Sequence, residues 1–466
     1  MTTQNTSKMS IKEISVRGLF GSLNHNIQLS EGGLTFIHGP NGCGKTTLLR
    51  LVHATLNGDF LAIKSVDFNE LEIGYSDGNA LLLKRSGTSS QPEQQLFDDE
   101  EGLLRTSVDL VVALLNAKRK ELHRFEYSKQ LHKLSRTELR FPLSYIERRI
   151  PFLTRTASER WLDTRTGTSL SLEAVLAKYP DRLNLPGKAP WPSWLEERLS
   201  PNKPGYVRTQ RLINLSAIAR SARADESKEP RDVVELYSSE IKETIARKLA
   251  ESAVQSQVRD RSFPIRLINK EFKQNVPQSD FIDTYRATQE RAQKLMSAGL
   301  LDQAASIPLP SRRLTKLERD VLSLYLSDFN EKLDAFADLQ RRIEALVEIV
   351  GSKLRRKRFV VDRQKGFVFE TSDDKPRTLG VTELSSGEQH QLVLFYELLF
   401  ASSGIALFLI DEPEISLHVE WQRAFISDIE KVGKLTGAHF LVATHSPQII
   451  NNRRDIAVAL DGGVSE

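Results

Sequence analysis

The chain has 466 residues, of which 39% are hydrophobic and 27% charged, and its formal net charge is +4. This length allows two or three domains, each with its own core. Cys43 is the one cysteine, so a disulfide within the chain is excluded. The first residues lack an apolar signal segment and no run of about 18 apolar residues follows, so we expect a soluble, cytoplasmic protein without a membrane segment.

The N-terminal region predicts strands that lead into a glycine-rich loop. Apolar and polar residues alternate between Ile11 and Leu29 as in a β-hairpin, and GLTFIHG (33–39) resembles a short buried strand. TTLLRLVHATL (46–56) has helical spacing. Two further strands are predicted at 71–77 and 80–86, before a polar tract at 86–102 that we expect to be loose.

The rest of the chain predicts an α/β protein with a helical insertion. Residues 1–110 are expected to form the first part of an α/β domain, and 111–204 an insertion with helical pieces and basic residues. A return strand is expected within 205–220, and SARADESKEPRD (221–232) resembles a flexible break. A helical lobe is predicted over 221–358, and strands return in 359–466.

The helical lobe contains a heptad pattern of apolar residues. One series recurs every seven residues and a second lies four residues after it; together they comprise Leu322, Leu326, Phe329, Leu333, Phe336, Ile343, Val347 and Val350. Gln340 is the polar interruption. This pattern predicts a coiled-coil seam over four heptads. Its partner is either another helix of this chain, for which 233–254 is the candidate, or the same helix of a second subunit; we favour the hairpin within the chain.

Basic residues are clustered at three places, 118–124 (KRKELHR), 147–149 (ERR) and 353–358 (KLRRKR). Such clusters can contact nucleic acid or an acidic protein. They can equally lie on a solvated surface.

The glycine-rich loop fits the pattern G-x-x-x-x-G-K-[ST] at every fixed position. Its residues are Gly39, Pro40, Asn41, Gly42, Cys43, Gly44, Lys45, Thr46 and Thr47. The loop follows a predicted strand and opens a predicted helix, the context in which backbone N–H groups and the helix N-terminus bind phosphates. Lys45 is expected to neutralise phosphate charge and Thr46 to ligate Mg²⁺. The predicted ligands are therefore ATP and Mg²⁺.

Three later motifs complete a nucleotide site. Four apolar residues lead to Asp411, a candidate Mg²⁺ ligand, and Glu412, a candidate general base. LSSGEQHQ (384–391) opens a predicted helix whose N-terminus would face an anion, and because the glycine loop already has such a terminus, we expect this one to serve another molecule's nucleotide. FLVATHSPQII ends a strand at His445, whose imidazole could hydrogen-bond a γ-phosphate.

These motifs, in this order, resemble the nucleotide-binding domain of ABC-type ATPases over residues 11–57 and 382–461. The split by helical segments is similar to the SMC, RecF and OLD branch. The resemblance implies a P-loop parallel sheet, an antiparallel β-subdomain and an inserted coiled-coil lobe. It also implies ATP sandwiched in head-to-head dimers, or in a higher homo-oligomer such as a hexamer. ATP hydrolysis to ADP and phosphate is the implied activity.

The resemblance also assigns roles to residues. The signature Ser385, Ser386, Gly387 and Glu388 would bind ATP, with Ser386 and Gly387 touching the γ-phosphate of a partner's nucleotide. Glu412 would be the catalytic base and His445 the switch histidine. Gln210, in YVRTQRL, is our candidate for the glutamine that this family places near Mg²⁺. His418 stands where an Asp is usual, which leaves its role open.

The phrasing of these motifs is similar to stand-alone ATPases of bacterial anti-phage modules, first the AriA ATPases of PARIS and next the PtuA ATPases of Septu and retron modules. That resemblance implies a sensor that holds a separate toxic nuclease, of Toprim or HNH type, and releases or activates it when a phage product, such as an acidic DNA-mimic protein, is sensed. No clustered carboxylates follow His445, so we expect no nuclease activity of the chain itself. The alternative is a RecF-like repair ATPase that clamps duplex DNA.

Overall fold

The computed structural model describes residues 10–59, 62–63, 65–86, 109–126, 146–147, 150, 152–157, 160–163, 168–172, 174–175, 179, 192–207, 233–271, 275–298, 300–301, 312–380, 383–400 and 404–460. Within these ranges, no helix is both long and apolar enough to cross a membrane. The chain divides into two compact units, the first formed by 1–231 with 401–466 and the second by 232–400.

The helices and strands follow one another as in an α/β protein with an inserted lobe. In chain order they are β1 (Ile11–Leu19), β2 (Leu23–Gln28), β3 (Leu34–His38), α1 (Lys45–Leu56), β4 (Glu70–Tyr75), β5 (Ala80–Ser86), β6 (Asp109–Leu115), β7 (Glu121–Glu126), β8 (Leu153–Ala157), β9 (Arg160–Asp163), β10 (Thr168–Ser171), α2 (Ser193–Leu199), β11 (Lys203–Val207), α3 (Val233–Ile268), α4 (Gln278–Ser297), α5 (Lys316–Asp334), α6 (Ala337–Gly351), β12 (Lys357–Asp362), β13 (Gly366–Thr371), β14 (Thr378–Leu379), α7 (Ser386–Phe400), β15 (Ile405–Asp411), α8 (Val419–Thr436), β16 (His439–Ala443), α9 (Pro447–Ile450) and β17 (Ala457–Ala459). The α/β fold class predicted from the sequence is confirmed.

An antiparallel sheet in the order β2-β1-β4-β5-β6-β7 forms one layer of the first unit. The predicted hairpin is present as β1 and β2, and the two strands predicted after it are β4 and β5. Along β4 every second residue is buried, because alternate side chains of a strand point to opposite faces and one face is covered.

A parallel sheet in the order β11-β15-β16-β3-β17 forms the second layer. Its central strands are apolar and buried, as is usual for strands covered on both faces. Asp411 pairs with Ala443, and Ala443 pairs with Ile37, so the carboxyl ends of β15, β16 and β3 lie at one edge. The residues that follow these three strands are therefore neighbours.

One core joins the two layers. It includes Ile14 of β1, Leu71 of β4, Leu51 and Val52 of α1, and Leu409 of β15, each with 0% of its surface exposed. Helix α1 is thus enclosed by apolar side chains from both sheets. The burial fixes the loop that precedes α1 against the edge of the parallel sheet.

The helical pieces predicted for 111–204 are mostly wrong for the part of this range that the structure describes. Strands β6 to β10 occupy it, and α2 is its main helix. The run DLVVALL, which forms β6, is continuously apolar, and such a run does not distinguish a buried strand from a helix. Strands β8, β9 and β10 form a small sheet with its own core around Trp161 and Leu153.

In the second unit, the prediction that one continuous helix carries the four heptads is also wrong. The chain turns at 335–336, between α5 and α6, and Phe336 is 3% exposed there. Helix α5 packs against α4 and α3 of the same chain. Arg266 of α3 makes a bidentate ion pair with Asp328 of α5, with N–O distances of 2.7 and 2.6 Å. A charge pair thus contributes to the contact between α3 and α5.

The remainder of the second unit surrounds α7. Helix α6 packs against α7 and β12, and α3 packs against α7 and β13. Tyr396 of α7 stacks on Tyr237, with ring centroids 4.5 Å apart. The Tyr237 hydroxyl donates to Glu397 at 2.6 Å. These contacts hold α7 along its length.

Several sequence-based expectations fall outside the described residues. They are most of the polar tract at 86–102, the break at 221–232, and Gln210 with the rest of 208–220. Strand β11 ends at Val207, three residues before Gln210.

Candidate active site

The glycine-rich loop connects β3 to α1 at the carboxyl edge of the parallel sheet. Gly42 and Gly44 have φ angles of +85° and +86°, a region that L side chains avoid. Gly39 is required for space, because a Cβ atom there would lie 2.5 Å from the carbonyl oxygen of Leu460. The glycines therefore permit a tight loop whose N–H groups lead into the α1 N-terminus, a natural phosphate-binding arrangement.

Lys45 is the first residue of α1 and folds back over the loop. Its ammonium donates to the carbonyl oxygens of Gly39 at 2.9 Å and Pro40 at 3.0 Å, and lies 3.6 Å from Cys43 Sγ. Only 6% of the residue is exposed. The charge of Lys45 is thus held at the loop where phosphates would bind.

Thr46 and Asp411 meet although they are 365 residues apart in sequence. The Thr46 hydroxyl donates to Asp411 Oδ1 at 3.0 Å. A hydroxyl and a carboxylate oxygen beside a phosphate-binding loop are the ligand types that Mg²⁺ prefers. Their contact fits the predicted metal site, in which both residues would hold Mg²⁺.

Tyr206 of β11 is a residue of this site that the sequence did not indicate. Its hydroxyl donates to Asp411 Oδ2 at 3.2 Å, and its ring lies 5.4 Å from that of His53 in α1. Burial, together with the negative charge of Asp411, raises the pKa of Tyr206 to about 12. The hydroxyl therefore stays protonated and orients Asp411. An aromatic residue in a strand is usually part of the hydrophobic core, so the sequence alone does not show that Tyr206 hydrogen-bonds Asp411.

We expect Tyr206→Phe to raise the Mg²⁺ concentration for half-maximal ATP hydrolysis about tenfold, because residues that orient metal ligands typically change metal affinity by 10- to 100-fold. The maximal rate at saturating Mg²⁺ should remain close to that of the wild type. Tyr179→Phe is the matched control, since Tyr179 donates to Asp163 in the separate small sheet. An unchanged Mg²⁺ dependence in Tyr206→Phe would remove Tyr206 from the site.

Glu412 and His445 lie together beyond the ends of β15 and β16. Glu412 has a φ of +45°, and its backbone N–H donates to Ala443 at 2.9 Å. His445 Nε2 is 3.6 Å from Glu412 Oε1, and the two side chains are 32% and 28% exposed. Both groups are thus open to solvent beside the Thr46 and Asp411 pair. A base that must reach water needs this exposure.

His25 supports the loop from the antiparallel sheet and was also missed by the sequence analysis. Its Nε2 lies 2.8 Å from the carbonyl oxygen of Cys43, which can only accept, so Nε2 carries the proton. Burial lowers the pKa of His25 below 6.5, although the hydrogen bond to Cys43 opposes this. The folded protein therefore favours neutral His25.

The burial of His25 makes the stability of the fold depend on pH, and the sign of that dependence follows from its pKa. Because the pKa of His25 is lower in the folded than in the unfolded chain, the unfolded chain takes up more protons as the pH falls below 6.5. The thermal midpoint should therefore fall between pH 7.5 and 5.5, and less so in His25→Gln. His123→Gln, at an exposed position of β7, is the control. Equal pH dependence of wild type and His25→Gln would contradict this role.

The signature residues begin helix α7 in the second unit. The Ser385 N–H donates to Glu388 Oε2 at 2.7 Å, and the Glu388 N–H donates to Ser385 Oγ at 3.3 Å, which forms a capping box. Lys357 donates to Glu388 at 2.7 Å. Burial acts to raise the pKa of Glu388, but the bonds from Lys357 and Ser385 outweigh it and hold that pKa below its usual value. Ser385 and Ser386 are exposed, so the helix end faces outward.

Two remaining candidates have structural explanations. His418 caps α8, because its Nδ1 accepts from the Glu420 N–H at 3.4 Å. In the basic cluster at 353–358, Lys353 is 5% exposed and lies over the Phe395 ring, and Lys357 pairs with Glu388. The exposed cations of this cluster are Arg355, Arg356 and Arg358.

The fold and this site define a P-loop ATPase domain. The profile of the family described as AAA ATPase domain matches residues 9–450, and the chain belongs to this family. No curated protein sequence matches the chain.

The chain is also similar to solved SMC head structures. The Smc head domain with an extended coiled coil bound to the C-terminal domain of ScpA, from Pyrococcus furiosus, shares 12% identity at a TM-score of 0.33, with 95% of this chain and 92% of that chain covered. The SmcHead bound to the C-winged helix domain of ScpA shares 10% at 0.32, covering 95% and 91%. The SMC head domain from Thermotoga maritima shares 10% at 0.30, covering 96% and 92%.

Proposed function

We propose that this chain is an ABC-type ATPase that binds Mg²⁺ and ATP and hydrolyses ATP to ADP and phosphate between two copies of itself. The observation that carries the proposal is the meeting of Thr46, Asp411, Glu412 and His445 beside the glycine-rich loop. Each group is delivered by the carboxyl end of a strand or by the helix that follows the loop. The arrangement supplies phosphate binding, metal ligation and a base at one edge of one sheet.

The chemistry follows from these groups. The loop N–H groups and the Lys45 ammonium bind the phosphates and neutralise their charge. Thr46 and Asp411 would hold Mg²⁺, which supplies charge neutralisation at the phosphate oxygens when bound. Glu412 Oε1 accepts a proton from the attacking water, and His445 Nε2 orients the γ-phosphate and Glu412 relative to each other.

The part played by a second copy is inferred from the position of the signature residues. Ser385 and Ser386 are exposed at the N-terminus of α7. The buried Glu388 accepts hydrogen bonds from the Ser385 N–H and from Lys357 at that terminus. The glycine-rich loop already uses the N-terminus of α1. Ser386 and Gly387 therefore complete the site of a neighbouring copy, whose own signature completes the first.

A mixing experiment tests this arrangement. Lys45→Ala removes the phosphate-binding cation, and Ser386→Arg blocks the signature, so each variant alone should be inactive. In an equimolar mixture half of the dimers are mixed and each has one intact site, so about a quarter of wild-type activity should return. A mixture as inactive as its components would refute the shared site.

The work that this ATPase performs is proposed from the resemblance of its motifs. The chain acts as sensor and scaffold of an anti-phage module, holds a separate toxic nuclease of the AriB type, and releases or activates it on meeting an acidic phage protein. The exposed Arg355, Arg356 and Arg358 suit an acidic partner. Purification of the product of the native operon tests this, since a co-eluting second polypeptide with nuclease activity is expected.

The same three arginines favour a second candidate, an ATP-dependent clamp on duplex DNA. Such binding would weaken steeply with salt, because phosphate contacts release counterions. A purified chain that shifts duplex DNA in an ATP- and salt-dependent way, without a co-eluting polypeptide, would select the clamp over the sensor.

A further inference from the structure

Glu414 contacts the backbone of His445, and this contact has no role in the chemistry proposed above. Glu414 lies in the short 3₁₀ turn Pro413–Ser416, two residues after Glu412. Its Oε1 accepts the backbone N–H of His445 at 2.5 Å. Its Oε2 is buried and has no hydrogen-bond partner among the described residues. Burying a carboxylate oxygen without a hydrogen bond lowers the stability of the fold. The fold therefore keeps Glu414 in this position although Oε2 is unpaired, and the bond made by Oε1 is what the position provides.

His445 is thereby held by two carboxylates that come from one turn. Glu412 faces its ring, at 3.6 Å from Nε2, and Glu414 binds its backbone. Other bonds anchor the same segment: Thr444 N–H donates to Ile37, and the Ser446 hydroxyl donates to Gln422 at 2.6 Å. Glu414 supplies the hydrogen bond that links this turn to the backbone of His445.

We propose that Glu414 is a positioning residue that sets the distance and orientation of the His445 imidazole relative to Glu412. The proposal rests on the proposed function, in which Glu412 is the base and His445 acts beside it. A charge-assisted hydrogen bond to a backbone N–H is short and strong, so it can fix the loop that carries the imidazole. Shifts of about 1 Å at reacting groups can cost about 100-fold in rate.

The first test needs neither nucleotide nor activity. In protein labelled with ¹⁵N and ¹³C at its nine histidines, His445→Gln identifies the signals of His445. Glu414→Ala should move the His445 amide proton upfield and also shift the ring signals, because the loop relaxes away from Glu412. Glu420→Ala, which removes an exposed carboxylate on α8, should leave both unchanged. Unchanged ring signals in Glu414→Ala would overturn the proposal.

The second test is kinetic. Glu414→Ala should lower kcat for ATP hydrolysis about 10- to 100-fold with KM changed by less than about threefold, since positioning acts on the chemical step rather than on binding. Glu414→Gln keeps an acceptor oxygen for the His445 N–H but not the charge, so its ring signals and its kcat should change less than those of Glu414→Ala. A higher KM with unchanged kcat, or an equal fall of kcat in the Ala and Gln variants, would show that Glu414 does not position His445.

If Glu414→Ala does not fold, Glu414→Asp replaces it, because a side chain shorter by one carbon keeps the charge but withdraws it from the N–H; the same outcomes apply. The failures of the two proposals are distinguishable. A wild-type protein that does not hydrolyse ATP would refute the proposed function, whereas unchanged histidine ring signals would refute the role of Glu414.

Discussion

Glu412→Gln should lower kcat for ATP hydrolysis by about 10²- to 10⁴-fold, the range that general-base catalysis contributes. The amide keeps the size of the side chain but cannot take a proton from water. Because the loop N–H groups and Lys45 supply the proposed phosphate contacts, the affinity for ATP should remain close to that of the wild type. Turnover is measured by phosphate release and affinity by titration with a fluorescent ATP analogue.

Glu420→Gln serves as the control, since it neutralises an exposed carboxylate eight residues further along the same segment. It should hydrolyse ATP at the wild-type rate. If Glu412→Gln also turns over at the wild-type rate, Glu412 is not the base, and another group at the edge of the sheet must accept the proton.

Lys45→Ala should weaken ATP binding by about two orders of magnitude, because hydrogen bonds to charged groups contribute about 1.5–3 kcal/mol and a factor of ten in affinity corresponds to about 1.4 kcal/mol. The loss has two parts. The phosphates lose a cation, and the carbonyl oxygens of Gly39 and Pro40 lose the donor that keeps the loop closed. Calorimetric titration with ATP and Mg²⁺ measures the change.

The matched control is Lys84→Ala, at a lysine of β5 that is 52% exposed and pairs with Glu70 on the neighbouring strand. This variant should bind ATP like the wild type. Wild-type affinity in a folded Lys45→Ala protein would show that the loop does not bind the phosphates.

The parts of the site that lie within contiguous motifs could be predicted from the sequence. The glycines, Lys45, Thr46, Asp411 and Glu412 are arranged by local geometry, because a strand that ends in a loop places its next residues at the sheet edge. Because β3, β15 and β16 are neighbouring parallel strands, the motifs that follow them lie together although they are far apart in the sequence.

The parts that depend on tertiary contact could not be predicted. Tyr206 lies 205 residues from Asp411, and His25 reaches Cys43 from another sheet, so neither leaves a pattern in the sequence. Glu414 lies within the DEPE motif, but the direction of its carboxylate depends on the backbone turn that begins at Glu412. The positive φ of Glu412 that allows this turn cannot be read from the sequence pattern. The single long helix predicted from the heptad pattern is wrong for a similar reason, because the helix is interrupted at 335–336 and the spacing of the apolar residues continues across that interruption.

The most direct test of the account is the mass of Glu412→Gln in solution with and without ATP and Mg²⁺. Since hydrolysis is blocked, ATP should hold two copies together through the signature of each, so the mass should double, and the added substitution Ser386→Arg should prevent this. A wild-type protein that keeps the mass of a single 52.7 kDa chain while hydrolysing ATP at its full rate would contradict the shared site.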